Sequence, residues 1–77
     1  MITIQKKNNK MYFFSQFDAI RNNNSVIIYS QNRMIEIDLR DVIKITCNNW
    51  IESLIFRNEE LHDNIIIIPD TIQNGEL

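Results

Sequence analysis

The sequence predicts a mainly β domain, a small antiparallel barrel or strongly curved sheet of five to seven strands. Residues 33–39 alternate strictly, with Ile35, Ile37 and Leu39 on one face and Met34, Glu36 and Asp38 on the other. A period of two marks a strand half buried and half wet. Sixteen residues are isoleucine and one, Ala19, is alanine. β-Branched side chains pack well on a pleated surface and are stiff in a helix. Asn8-Asn9, Asn22-Asn23-Asn24, Gln31-Asn32 and Asn48-Asn49 punctuate the apolar runs, and asparagine tolerates the positive φ that tight turns demand.

Residues 1–21 admit two arrangements. In a hairpin, Asn8-Asn9 is a two-residue turn that pairs Ile4 with Phe13 and Lys6 with Met11. Ile2, Ile4, Met11 and Phe13 then share one face, and Phe14 is left on the wet side. In the alternative, Asn9 caps one short helix at about residues 10–21, and Phe13, Phe17 and Ile20 form its apolar stripe.

Asn22-Asn23-Asn24-Ser25 breaks the chain before a β-branched run, Val26-Ile27-Ile28-Tyr29. Gln31-Asn32 turns it into the alternating strand, and Arg40-Asp41 bends it again. Val42–Cys47 is the next strand, with Ile43, Ile45 and Cys47 on one face and Val42, Lys44 and Thr46 on the other. After Asn48-Asn49, residues 50–56 read as a strand with Trp50, Leu54 and Phe56 on one side. Residues 57–64 form a charged loop at the end of a long hairpin, and Ile65-Ile66-Ile67-Ile68 is a continuous apolar run before Pro69-Asp70. Four consecutive isoleucines suit a strand covered on both faces, by the core or by another subunit. Residues 73–77 read as frayed.

Seventy-seven residues make a single small domain, 1–77. A chain this short buries only roughly 60% of its unfolded surface, so folds of this size lean on disulfides, metals or self-association. Cys47 is the only cysteine, and with His62 it is far short of the four ligands of a structural zinc site. Self-association is what remains. No apolar run reaches the roughly 18 residues of a membrane span, and residues 1–7 lack the core of a signal peptide. A cytoplasmic location is the expectation, with no membrane, metal or cofactor. Charge is uneven: residues 1–33 hold five Lys and Arg against Asp18, and residues 34–77 hold three against nine carboxylates.

No catalytic set emerges. His62 sits among Glu59, Glu60 and Asp63, where a solvated turn is the simpler account than a base or a metal ligand. Cys47 shares a face with Ile43 and Ile45, which suits a small buried hydrophobe. Glu36 and Asp38 share a strand face that suits solvent, or the basic N-terminal segment of a partner subunit. Lys6, Lys7, Lys10, Tyr12 and Arg21, with Phe13 and Phe14, combine cations and aromatics in the way that small β domains hold single-stranded nucleic acid.

From Ser25 to Asp70 the strand order resembles the middle of bacterial pleckstrin-homology-like domains. The matching segments are Ile37-Asp38-Leu39-Arg40-Asp41-Val42-Ile43, Leu54-Ile55-Phe56 and Ile65-Ile66-Ile67-Ile68-Pro69. The family's closing C-terminal helix has no counterpart. The resemblance implies a partly open barrel whose missing wall is supplied by a partner or a second copy, and it carries over no functional residue. The absent catalytic set, the small core and the Ile65–Ile68 run give the expected function, a non-catalytic protein-binding module. It would be a small intracellular regulatory or inhibitory protein that works as a homodimer through Ile65, Ile66, Ile67 and Ile68. The alternative is a nucleic-acid-binding protein that uses Lys6, Lys7, Lys10, Tyr12 and Arg21.

Overall fold

The computed structural model describes residues 1–68, and the chain there is mainly β. Its strands are β1 (Ile2–Lys6), β2 (Met11–Phe14), β3 (Asp18–Asn22), β4 (Ser25–Ser30), β5 (Arg33–Asp38), β6 (Val42–Cys47) and β7 (Ile65–Ile67). A first sheet has the order β2-β1-β6-β7 and a second the order β3-β4-β5. The strands are split between two sheets that share one core, and no barrel closes. Pro69, Asp70 and residues 73–77, read above as a strand stop and a frayed end, lie outside the described residues.

Residues 11–14 and 18–22 are strands, so the helix at about 10–21 does not form. The β1–β2 hairpin has a different register from the expected one. Asn9 takes φ 68°, the Asn9 N–H donates to Lys6 O at 2.8 Å, and the Lys6 N–H donates to Lys10 O at 2.8 Å. Residues 7–9 thus make a three-residue loop with asparagine in the left-handed position. Ile4 therefore faces Tyr12 and Ile2 faces Phe14. A one-residue slip exchanges the two faces of a strand. Phe14 is buried beside Ile2 and Ile4, while Met11 and Phe13 point outward.

Asn23, at φ 54°, turns β3 into β4, and Gln31-Asn32 joins β4 to β5. The alternation of β5 holds: Ile37 and Leu39 are buried, and Met34 and Glu36 are exposed. Asp38 Oδ1 then accepts from the Arg40 N–H at 2.9 Å and caps a 3-10 turn over Leu39–Asp41. In β6 the pairing jumps from Gln5 opposite Lys44 to Lys6 opposite Val42, which leaves Ile43 as an extra residue. That bulge reverses the expected facing, burying Val42 and exposing Ile43.

Residues 50–56 are not a strand. Asn49 Oδ1 accepts from the Glu52 N–H at 2.8 Å and opens helix α1 (Trp50–Leu54). Asn at the cap with Glu three residues on is the pattern of a capping box. Residues 57–64 do not end a hairpin either: Asn58 caps a 3-10 turn over Glu59–Asn64, with Leu61 buried. This connection returns the chain to the end at which β6 began, so β7 runs parallel to β6, with Ile45 opposite Ile65 and Cys47 opposite Ile67. Among the described residues, strand β7 is an edge and is covered on one face only, with Ile65 and Ile67 half-buried and Ile66 and Ile68 exposed.

The core takes Ile2, Ile4 and Ile45 from the first sheet and Val26, Ile28 and Ile37 from the second. Phe56 and Leu61 from the β6–β7 connection fill it, each worth about 1.5–3 kcal/mol when fully buried. Two arginines on the edge strands of the second sheet tie it to the rest. Arg33 of β5 lies over the Phe14 ring, 4.4 Å from its centroid. Arg21 of β3 donates through Nη1 to Ile55 O at 3.0 Å and Arg57 O at 2.6 Å.

Candidate functional site

The fold gathers Lys6, Lys7, Lys10 and Tyr12 at the β1–β2 hairpin. Lys10 Nζ stands 5.7 Å from the Tyr12 ring centroid, so the ring face is already occupied by a cation. The Lys7 N–H donates to Asp41 O at 2.7 Å, which brings the acidic 3-10 turn alongside the lysines. There Asp38 accepts from Arg40 Nε at 3.0 Å and Nη2 at 2.7 Å. These side-chain hydrogen bonds, helped by the Arg40 backbone N–H, hold the Asp38 carboxyl at about 2. Arg21 does not join the group, because its guanidinium is spent on the carbonyls of Asn23, Ile55 and Arg57.

The residues weighed for chemistry are dispersed. His62 is exposed on the second 3-10 turn, and Glu36 accepts from Ser25 Oγ at 2.9 Å. Cys47 is buried on β6; burial pushes its thiol pKa up, and the Glu52 carboxylate adds to the shift. Glu52 Oε2 lies 3.6 Å from the Met1 amino group, while its buried Oε1 has no hydrogen-bond partner among the described residues. Among the described residues no three His, Cys, Asp or Glu side chains converge on a point that would hold a metal ion. Among them also, no helix is long and apolar enough to cross a membrane.

The most pronounced surface feature is apolar. Helix α1 turns Ser53 inward and leaves Ile51 77% and Trp50 58% exposed, with Leu54 beside them. A groove lined by Trp50, Leu54, Arg57, His62, Ile65 and Ile67 runs between α1 and β7. The edge of β7 adds main-chain groups. The Ile68 N–H donates to Cys47 O at 2.8 Å. In a parallel pair only alternate residues bond across it, so the N–H and C=O of Ile65 and Ile67 point away from β6. Such an edge is a template for another strand.

Of the apolar stretch singled out in the sequence, Ile66 and Ile68 are outward-facing and Ile65 and Ile67 lean on the core. Trp50, Ile51 and Leu54 were not among the expected contact residues, because an alternating assignment hid them. The Asn49-x-x-Glu52 cap was the signal that could have revealed them. No protein family, curated protein or solved structure matches the chain.

Proposed function

We propose that the protein is a non-catalytic protein-binding module, a small cytoplasmic regulatory or inhibitory protein that acts as a homodimer. The contact is the α1–β7 surface: Trp50, Ile51 and Leu54 on the helix, with Ile66 and Ile68 beside the open strand edge. One observation carries this reading. Large apolar side chains stand exposed next to main-chain groups of β7 that point away from β6 and have no partner strand among the described residues. A second copy, or a strand of a partner, would extend the first sheet at β7.

Trp50 is the only tryptophan and lies in the contact, so its emission tests the reading. Raising the protein from nanomolar to high micromolar concentration moves the emission to shorter wavelength as the indole leaves water. A spectrum that does not shift with concentration contradicts self-association at this surface.

The nucleic-acid alternative keeps one favourable observation, the three lysines gathered at one hairpin. Against it stand the occupied Tyr12 ring, the adjacent Asp38 and Asp41, and the inward turn of Arg21. Titration with a single-stranded oligonucleotide at low and high salt separates the two, since phosphate contact weakens steeply as salt rises.

A further inference from the structure

The outward faces of both sheets carry large apolar side chains among the polar ones that a sheet usually turns to water. On the first sheet, Phe13, Thr3, Thr46 and Ile66 lie in one row across four strands, with Met11, Gln5 and Lys44 in the next. Phe13 is 52% exposed and Met11 58%. On the second sheet the rows are Asp18-Tyr29-Met34 and Ile20-Ile27-Glu36. Met34 is 66% exposed and Ile20 54%.

The charges on these two faces are opposite. Among the described residues, Lys44 is the one charged side chain on the outward face of the first sheet. The second face carries Asp18 and Glu36, together with Asp38, whose charge is met by Arg40. A partly apolar surface with a cation and a partly apolar surface with carboxylates are complementary to each other and not to themselves. We infer that a second copy of this chain docks there, the outward face of the first sheet against the outward face of the second.

This contact goes beyond the α1–β7 surface and shares only Ile66 with it. It joins two different surfaces, so each added copy leaves one face of each kind free, and association continues past the dimer or closes into a ring. Three strands by five residues span only about 14 by 16 Å. That is far below the roughly 800 Å² per partner of a standard interface, so the contact is weak and concentration-dependent.

Sedimentation velocity over a range of concentration at low salt tests it with two charge-reversed proteins, Lys44→Glu and the double variant Asp18→Lys/Glu36→Lys. All three sites are at exposed positions, and far-UV circular dichroism checks that both variants stay folded. In each variant alone, association beyond the α1–β7 contact is at least about tenfold weaker than in the native chain, because like charges now meet. An equimolar mixture recovers association, since each variant's altered face fits the other's. Variants that associate like the native chain, or a mixture no stronger than its components, overturn the face pairing and leave the α1–β7 contact standing. A native chain that stays folded and monomeric at every concentration overturns both.

Discussion

Arg21 Nη1 donates to the main-chain oxygen of Arg57 at 2.6 Å and to that of Ile55 at 3.0 Å, fastening an edge strand of the second sheet to the segment that follows α1. The carbonyls at a helix end lack partners within the helix, and a cation there also suits the helix dipole. Replacing Arg21 by Met keeps the stem and removes the donors. Urea unfolding then shows a loss of about 1–2 kcal/mol, the usual worth of such bonds. An unchanged midpoint would mean that the guanidinium is held by solvent instead.

Asn49→Ala removes the acceptor that opens α1 and costs about 1 kcal/mol of stability. Because α1 presents Trp50 and Ile51, the same variant also weakens self-association. Ser at the same position restores both the unfolding midpoint and the association constant. An Asn49→Ala protein that associates normally would show that the helix is not part of the contact.

Cys47 is a probe of global unfolding. Its thiol is buried and its pKa is raised by burial, so little of it is thiolate in the fold. Reaction with a disulfide reagent at pH 8 is slower in the native protein than in urea by a factor on the order of 100 or more. Equal rates in both would place the thiol in contact with solvent.

Asp38 sets an acid limb. Its folded value of about 2 lies below the ordinary 3.8 because Arg40 hydrogen-bonds its ionised form. A depressed carboxyl contributes stability that is fully present above its unfolded value and is lost as pH falls through its folded value. The loss therefore falls between about 3.8 and 2, and its size is small because the pair faces solvent. Asp38→Asn keeps an acceptor for the Arg40 N–H and removes the charge. Its unfolding midpoint is flatter than the native one across that window, and two parallel acid profiles would contradict this.

The β character was readable from short-range pattern alone: the alternation from Met34 to Leu39 and the asparagine turns need no tertiary information. Departures arose where one backbone residue decides the facing of many side chains. Asn9 in the left-handed region lengthens the first turn and shifts the whole of β2, and the bulge at Ile43 inverts Val42. No periodicity reports either event. The helix at Trp50 was legible through its cap, yet five residues are too few for a 3.6-residue period to outweigh an apparent alternation. Of the candidate site, Ile66 and Ile68 were within reach of the sequence. That the chain returns to pair β7 in parallel beside Trp50 was not, because that placement depends on Phe56 and Leu61 docking in a core built by distant strands.

Light scattering on the chain at tens of micromolar, compared with an Ile51→Glu/Leu54→Lys variant, tests the α1–β7 association most directly. The native chain is predicted to reach at least twice its 9.2 kDa monomer mass. The variant, altered only at exposed positions, stays folded and loses that association. A native chain that remains a folded monomer, or a variant that associates as strongly as the native chain, would contradict the account.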